Sequence, residues 1–247
     1  MYVAFTSYGK RLLRTGKGLK SLMKPHQTIE ATKYIITVYK DDLKYLVANE
    51  YLMSLITRDK LRVVIAPENL KNNLKYFYAM QVYNDLPFVT VDDDVTYKPK
   101  TLETLYNMHT KYPDCVVGNI TVPTHFNKPI INWIFTKNKS INEPSMQLMS
   151  EGVGGIIYPP RFFEYVVPWI DVIRDKEPIL KNDDLMLHWI KHKNNIKTVD
   201  TLNRVSGKEQ SITEIDEINP SWHVNYKGND NLAQKAIDIL QSIYRIR

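Results

Sequence analysis

Residues 86–94 have the sequence Leu-Pro-Phe-Val-Thr-Val-Asp-Asp-Asp, an apolar run that ends in three consecutive aspartates. A run of β-branched and aromatic residues that is entered through a proline is typical of a buried strand. Three adjacent carboxylates repel one another strongly unless a cation lies among them. Mg²⁺ and Mn²⁺ prefer carboxylate oxygens as ligands. Asp92, Asp93 and Asp94 therefore indicate a metal site at the end of a strand.

An aspartate run also has an ordinary structural interpretation, as a solvated turn or a helix N-cap. Asp94 could cap a helix that begins near Pro99. Two features favour the metal site: the preceding strand is predicted to be buried, and residues 95–97 stay extended after the aspartates. Because ligands of open α/β sheets bind beyond the carboxyl ends of the strands, we expect the metal to meet a phosphate-bearing substrate.

Strand and helix patterns alternate along the first half of the chain. Strands are predicted at residues 2–6, 34–39, 61–65 and 86–91, with helical patterns at 12–23 and 43–56 and a helical face formed by Leu70, Leu74, Phe77 and Tyr78. Alternating strands and helices imply parallel pairing and right-handed crossovers. The pattern thus predicts a Rossmann-like α/β fold with a mostly parallel central sheet flanked by helices.

The second half continues this pattern with longer irregular stretches. Helices are predicted at residues 100–111, 162–167, 183–192 and 231–244, and strands at 115–120, 154–160 and 196–201. In the first of these helices Leu102, Leu105 and Tyr106 are expected to point inward. Asn182 is the expected N-cap of the helix at 183–192. Residues 123–149 form a long insertion that we assign to substrate binding. We predict one domain, with a Rossmann-like nucleotide-binding half at 1–97 and a second half at 98–247.

The composition fits a globular protein with a sizeable core. Of the 247 residues 43% are hydrophobic and 24% are charged, and the net charge is +6. Such a charge suits anionic nucleotides or a membrane surface, but a Lys-rich composition without function gives the same value. No RNA-binding pattern is present, so nucleic acid is not an expected partner. The absence of an apolar span or signal peptide, and a single cysteine, Cys115, predict a cytoplasmic protein.

The loop after the first strand combines hydroxyls, an aromatic ring and two cations: Thr6, Ser7, Tyr8, Lys10 and Arg11. Such side chains can stack on a base and contact a phosphate, although ordinary turns have a similar composition. Farther along, Lys75 precedes the aspartate strand and could also reach a nucleotide, whereas most lysines on helices are solvated.

A second acidic pair, Asp183 and Asp184, begins a predicted helix. The helix dipole favours acidic residues there, which is the structural explanation. The functional interpretation is that Asp184 faces the same crevice as the three aspartates and takes a proton from an attacking hydroxyl. Before this helix, Gly154 and Gly155 lack side chains and let a ligand approach the backbone. His223 is a candidate further metal ligand, although a lone histidine is more often structural.

In this order, the motifs resemble the glycosyltransferases of the GT-A fold. The resemblance covers nearly the whole chain, so that residues 1–97 would be the nucleotide-sugar-binding half and residues 98–247 the acceptor-binding half. It identifies residues 92–94 as the Asp-x-Asp metal motif. Three aspartates in a row leave open which two hold the metal; we assign Asp92 and Asp94, with Asp94 as the direct ligand and Asp93 on the ribose side. It implies that Asp184 is the catalytic base, that His223 completes the metal site, and that Thr6, Ser7 and Tyr8 hold the base. The acidic pair is Asp-Asp where the family more often has Glu-Asp, so the base assignment stays open between Asp183 and Asp184.

The resemblance implies a Mn²⁺- or Mg²⁺-dependent transfer of a sugar from a nucleoside-diphosphate sugar, most often a UDP-sugar, to a hydroxyl. The acceptor would be a glycan or glycolipid of capsule or lipopolysaccharide synthesis at the inner face of the membrane, and the transfer would invert the anomeric carbon. Residues 203–211, with Arg204, Gly207 and Lys208, would close over the diphosphate. Alternatives are a retaining glycosyltransferase, a sugar-nucleotide nucleotidyltransferase, and a basic adaptor that binds anionic polymers.

Overall fold

The structure, a computed structural model, describes residues 1–124, 143–201, 212–215 and 231–245, the backbone alone for 212–215 and 244–245. Its central sheet contains β1 (Tyr2–Thr6), β2 (Lys33–Tyr39), β3 (Leu61–Ala66), β4 (Phe88–Thr90), β6 (Val116–Gly118), β9 (Ile156–Tyr158) and β10 (Thr198–Asp200). The strand order is β10-β6-β9-β4-β1-β2-β3. Two antiparallel pairs lie outside this sheet: β5 (Val95–Tyr97) with β11 (Ile212–Ile215), and β7 (Thr121–Pro123) with β8 (Leu148–Ser150).

All neighbouring strands of the central sheet are parallel except those that involve β9, which runs antiparallel to both β4 and β6. The predicted mostly parallel sheet is therefore confirmed, with one strand reversed. The chain enters β9 through the short loop 151–155, and the amide of Glu151 in this loop donates to Ile120 O at 2.9 Å. This loop lies at the carboxyl ends of β4 and β6. The three aspartates that come after β4 lie at the same edge of the sheet.

Helices cover both faces of the sheet. They are α1 (Lys17–Leu22), α2 (Leu43–Val47), α3 (Glu50–Thr57), α4 (Phe77–Val82), α5 (Thr101–Lys111), α6 (Phe163–Ile173), α7 (Glu177–Leu180), α8 (Asp183–Lys193) and α9 (Leu232–Arg245). Short 3-10 turns lie at Gly9–Leu13, Lys40–Asp42, Lys71–Lys75 and Gly152–Gly154. No helix in the described ranges is long and apolar enough to cross a membrane.

Side-chain alternation along β1 divides the core into two clusters. Val3 and Phe5 pack with α1, α3 and α5, whereas Tyr2 and Ala4 pack with α4, α6, α8 and α9. Successive strand residues point to opposite faces, so a strand that is buried on both faces needs apolar residues at nearly every position. The sheet is accordingly the middle layer of three, and its carboxyl edge is left for ligands.

Two predicted helices are each broken into shorter pieces, and Asn49 explains both breaks. Its side-chain oxygen accepts from the amide of Leu52 at 3.0 Å, so that α3 begins anew after α2. Its amide nitrogen donates to Leu12 O at 2.6 Å and to Thr15 O at 2.9 Å, which holds the chain between the first 3-10 turn and α1. The predictions of continuous helices at 12–23 and 43–56 were therefore wrong.

Two further differences concern α5 and α6. Leu102 and Leu105 are fully buried as predicted, but Tyr106 is 42% exposed, so its inward placement was wrong. Helix α6 continues past the predicted end at residue 167 and contains Pro168. The buried side chains of Trp169 and Ile173 on the following turns hold it against the core, which outweighs the hydrogen bond that proline removes.

Candidate active site

The two acidic clusters selected from the sequence, residues 92–94 and 183–184, meet at one buried lysine. Lys75 Nζ lies 2.9 Å from Asp92 Oδ1 and 2.9 Å from Asp183 Oδ2. The lysine ends the 3-10 turn before α4, Asp92 follows β4, and Asp183 begins α8. The Lys75 side chain is only 9% exposed. The carboxyl edge of the sheet therefore brings together residues that lie far apart in the chain.

Lys75 is charged in this setting. Burial by itself lowers the pKa of its ammonium, but the negative charges of Asp183 and Asp92 outweigh burial and raise the pKa well above 10.5. A buried ion pair that loses one partner leaves a charge without compensation, which costs about 3–5 kcal/mol. The lysine thus fixes both carboxylates, so the expected contact of Lys75 with the nucleotide gives way to a contact with two aspartates.

Arg11 pairs with the other two aspartates of the run. One of its terminal nitrogens lies 2.5 Å from Asp93 Oδ1 and 3.0 Å from Asp94 Oδ2, and its Nε donates to Asp93 Oδ2 at 3.3 Å. Thr15 Oγ1 lies 3.5 Å from the same Asp93 oxygen and donates to Ser7 Oγ at 2.8 Å. Asp93 is thereby held inside the protein by the guanidinium of Arg11, with the Thr15 hydroxyl beside it.

The turn that carries the aspartates is itself anchored. The amide of Asp92 donates to the hydroxyl of Tyr97 at 2.8 Å, and the amide of Tyr97 donates to Ser21 Oγ at 2.8 Å. Tyr97 is buried on β5, so the residues after the aspartates run back along the protein instead of entering a helix. The interpretation of Asp94 as an N-cap does not hold, because α5 begins after Lys100, whose side chain makes no capping hydrogen bond.

Among the described residues, the site has an excess of negative charge. Five carboxyl groups lie here, at positions 92, 93, 94, 183 and 184, against the two cations Lys75 and Arg11. Burial raises the pKa of Asp94, the charge of Asp92 raises it further, and Arg11 offsets only part of this shift. Such an excess attracts a cation to Asp92 and Asp94.

Asp92 and Asp94 fit a divalent metal ion of the kind that also binds phosphate. Each carboxylate uses one oxygen for an ion pair, which leaves Asp92 Oδ2 and Asp94 Oδ1 without a protein partner within the described part of the chain. Mg²⁺ is commonly held by one or two carboxylates together with substrate phosphates. No group of three or more acidic, histidine or cysteine side chains with metal-binding geometry occurs among the described residues.

Asp184 differs sharply from its neighbour Asp183. Its Oδ2 accepts from the amide of Gly152 at 3.0 Å, while its Oδ1 is buried without a hydrogen-bond partner in the described structure. Burial raises the pKa of the Asp184 carboxyl well above 3.8, and the charge of Asp183 adds to this; Lys75 and the Gly152 amide oppose it without cancelling it. Asp184 is thus a carboxyl that gains a proton readily.

Gly152 is the glycine that lies next to the charged groups. A Cβ atom at this position would lie 3.1 Å from Lys75 Nζ and 3.2 Å from Asp184 Oδ1. The two glycines selected from sequence pack elsewhere: a Cβ atom added to Gly154 would lie 2.6 Å from Ile120 Cγ1, and Gly155 has a φ of 82°. A side chain at 152 would crowd the lysine and the carboxylate directly.

The loop after β1 divides into buried and exposed members. Thr6 donates to Thr37 O at 2.7 Å, and Ser7 is buried, so both side chains are used inside the protein. Tyr8 is 56% exposed and lies against Arg11, whose guanidinium carbon is 5.2 Å from the ring centroid. Lys10 is exposed as well. Tyr8 and Lys10 are therefore the members that a ligand can reach.

Sequence reasoning missed the three contacts that organise the site. These are the pairing of Lys75 with Asp183, the pairing of Arg11 with Asp93, and the hydrogen bond from Gly152 to Asp184. Their partners lie between 32 and 108 positions apart (183 minus 75 gives the largest), and no local pattern marks such pairs. His223 and the proposed lid at 203–211 lie outside the described residues.

No protein-family profile matches the chain, and no curated protein matches it. Solved structures do. The structure is similar to S. aureus TarS with a TM-score of 0.50 and 14% identity, covering 87% of this chain and 36% of that one. The structure of TarS 1-349 gives a TM-score of 0.48 at 14% identity, and the match covers 87% of this chain and 60% of that one. The same TarS segment is also solved in complex with UDP. The 4-diphosphocytidyl-2C-methyl-D-erythritolsynthase from Anaerococcus prevotii gives 0.49 at 12% identity, covering 99% and 95%.

These similarities concern the fold. Together with the seven-stranded, mostly parallel sheet flanked by helices, the likeness to TarS confirms the predicted GT-A-like α/β architecture. The chain spans 36% of TarS and 60% of TarS 1-349, and the identities are low. What the protein does must therefore be argued from the side chains at the carboxyl edge of the sheet.

Proposed function

We propose that this protein is a metal-dependent glycosyltransferase that moves a sugar from a nucleoside-diphosphate sugar to an acceptor hydroxyl. The observation that carries the proposal is the position of Lys75, which binds Asp92 and Asp183 at 2.9 Å each and thereby joins the two acidic groups at one edge of an α/β sheet. A transferase needs a cation site for the diphosphate and a base for the acceptor within reach of one another.

The donor side is formed by the aspartate run and the first loop. Asp92 and Asp94 would hold Mg²⁺ or Mn²⁺ through their free oxygens, and the ion would offset the charge of the departing nucleoside diphosphate. The exposed Tyr8 ring is suited to stacking on the base, and Lys10 to contacting a phosphate. Three further assignments are supported by the sequence resemblance alone. They are UDP as the nucleotide, the contact of Asp93 with the ribose, and the contact of His223 with the metal.

Asp184 is the better candidate for the base. A general base works best when its pKa lies near the operating pH, and burial shifts the pKa of Asp184 upward from the ordinary value of 3.8. Asp183 is instead paired with Lys75. We assign Asp183 the role of holding Lys75, and Asp184 the role of taking the proton from the acceptor hydroxyl as the new glycosidic bond forms.

Base-assisted attack from the face opposite to the leaving diphosphate inverts the anomeric carbon. The sequence resemblance further suggests a glycan or glycolipid acceptor in capsule or lipopolysaccharide synthesis. The net charge of +6 suits both the anionic donor and contact with the inner face of the membrane. The two halves, 1–97 and 98–247, would then bind the donor and the acceptor respectively.

The test is a thermal-shift screen of nucleoside diphosphates with and without Mn²⁺, followed by transfer assays with the matching sugar nucleotides. We expect stabilisation by one nucleoside diphosphate only when Mn²⁺ is present. NMR of the product then gives the anomeric configuration. A retained configuration would replace the inverting mechanism by a retaining one, and pyrophosphate release from a nucleoside triphosphate plus a sugar phosphate would favour a nucleotidyltransferase.

A further inference from the structure

A small internal cavity lies behind Asp184, with room for about one water molecule. It is lined by Val116, Ser150, Ile156, Tyr158, Asp184, Leu187, His188, Lys191 and Thr198. Six of these nine residues carry a polar side-chain group. A hydrated cavity needs several polar partners for its water, and this one has them.

Four of the lining residues carry a buried oxygen that has no hydrogen-bond partner in the described structure: Ser150 Oγ, Tyr158 Oη, Asp184 Oδ1 and Thr198 Oγ1. A buried polar atom without a partner is costly, and a carboxylate oxygen more so. Buried polar atoms are therefore nearly always satisfied by protein or by ordered water. A water molecule donates two hydrogen bonds and accepts up to two, so one water has the capacity to pair with all four oxygens.

Titratable side chains on one face of α8 line the same cavity. Asp184, His188 and Lys191 are spaced four and three residues apart, which places them on one stripe of the helix with about 5–6 Å between successive Cβ atoms. Lys191 is 2% exposed, and its ammonium nitrogen donates to Met146 O at 3.1 Å. The stripe thus leads from the base inward to a buried amine.

We propose that the cavity holds an ordered water and that Asp184, this water, His188 and Lys191 form a buried proton path along α8. The proposal rests on the proposed function, in which Asp184 takes the acceptor proton. The proton leaves the acceptor oxygen as the glycosidic bond forms, and it moves from the Asp184 carboxyl through the water and the imidazole to the neutral amine of Lys191. The resulting ammonium returns the proton to solvent between turnovers.

The charge states of the end groups suit such a path. Burial lowers the pKa of Lys191 to about 7, so that the amine is neutral in a large fraction of molecules, while the neighbouring thiol of Cys115 raises this pKa. Burial lowers the pKa of His188 well below 6.5, and the charges of Lys191 and His192 add to this. Asp184 faces Asp183, Lys75 and Asp92 on its other side.

The experiment compares the first turnover with the steady state in Lys191→Met, with the exposed neighbour Lys193→Met as the matched control. In Lys191→Met we expect the rate of the first turnover, measured with enzyme in excess over donor, to stay within about twofold. The steady-state rate should fall by about tenfold or more, because Asp184 stays protonated. Added imidazole buffer should restore much of this loss. Lys193→Met should resemble the wild type in both rates.

Equal losses in both rates without rescue by buffer, or no loss in either, would overturn the proton path. A second measurement covers the case in which Lys191→Met fails to fold: a high-resolution crystal structure of the wild-type protein. Density for a water within hydrogen-bonding distance of Asp184 Oδ1 and Ser150 Oγ supports the path, and a dry cavity rejects it. This readout does not depend on transfer, so it also separates failure of the proton path from failure of the proposed function.

Discussion

Lys75 Nζ lies 2.9 Å from Asp183 Oδ2, a contact between the turn before α4 and the first residue of α8. Within the described residues the adjacent Asp184 makes no ion pair, and it accepts a hydrogen bond from the backbone of Gly152. Two consecutive aspartates therefore have opposite environments. Asp183 compensates a buried cation, whereas Asp184 is a half-buried carboxyl with one buried oxygen that has no hydrogen-bond partner in the described structure. Substitutions at these residues and at their partners should reveal the difference.

Replacement of Lys75 by Met removes the cation shared by Asp92 and Asp183. The free energy of unfolding should fall by about 3–5 kcal/mol, because two partly or fully buried carboxylates lose their partner. Urea denaturation of the wild type and the variant measures this, with Lys60→Met at an exposed site as the control. The double variant Lys75→Met/Asp183→Asn should recover part of the loss. A loss no larger than that of the control would show that the lysine does not stabilise the site.

Asp183→Asn and Asp184→Asn should change stability in opposite directions. The folded protein keeps the proton of Asp184 to a much higher pH than the unfolded chain, in which it is lost near pH 3.8. The stabilisation from this group is complete below that pH and disappears as the pH rises through the folded pKa. At pH 8 Asp184→Asn should therefore be more stable than the wild type, on the order of 1 kcal/mol.

Asp183→Asn should be less stable than the wild type at every pH at which Lys75 is charged, because the buried ammonium loses one of its two partners. Urea denaturation of the wild type and of both variants at pH 5 and pH 8 would measure whether each substitution raises or lowers the free energy of unfolding. Asp184→Asn should also abolish transfer and leave donor binding intact, since the amide cannot take a proton. Full transfer activity in this variant would remove Asp184 from the role of base.

Asp94→Ala should abolish Mn²⁺-dependent binding of the nucleoside diphosphate. The change removes one of the two carboxylates with a free oxygen and leaves Arg11 paired with Asp93. Calorimetric titration with the nucleotide, with and without Mn²⁺, measures the effect, and Asp114→Ala at an exposed position is the control. Metal-dependent binding that survives in Asp94→Ala would contradict the assignment of this residue as a ligand.

Gly152→Ala should lower activity more than stability. The new Cβ would lie 3.1 Å from Lys75 Nζ and 3.2 Å from Asp184 Oδ1, so that both groups must shift by a few tenths of an ångström. Shifts of this size at reacting groups reduce turnover strongly. Steady-state kinetics at saturating donor, compared with the neighbouring Val153→Ala, would reveal the effect. Equal kcat values in the two variants would argue against a close approach at residue 152.

The strands of the first half could be predicted because they are continuous apolar runs. Strands β1, β2 and β3 are found within one residue of their predicted bounds. Burial on both faces demands such runs in β1 and β2, whereas β3 lies at the edge of the sheet and is partly exposed. The helices were less predictable. Asn49 interrupts two helical patterns through hydrogen bonds to Leu12, Thr15 and Leu52, and apolar spacing contains no trace of such contacts.

The candidate site was predictable in its residue types but not in its pairings. Carboxylates after a buried run mark the edge of a sheet, so that Asp92 and Asp94 could be selected from the sequence alone. The partners could not, because Lys75 and Arg11 resemble any surface cation until the fold buries them. The reversal of β9, which brings Gly152 to the same edge, likewise depends on the tertiary course of the chain.

The insertion of β9 between β4 and β6 has a consequence for biosynthesis. On a ribosome, the first four strands of the central sheet emerge together, but the neighbour of β4 is made some 65 residues later (156 minus 90 gives 66). Until then β4 is an open edge, and Lys75 has Asp92 without Asp183. The nascent chain therefore exposes an open strand edge beside an incomplete charge cluster, and such an edge can pair with other chains until β9 covers it.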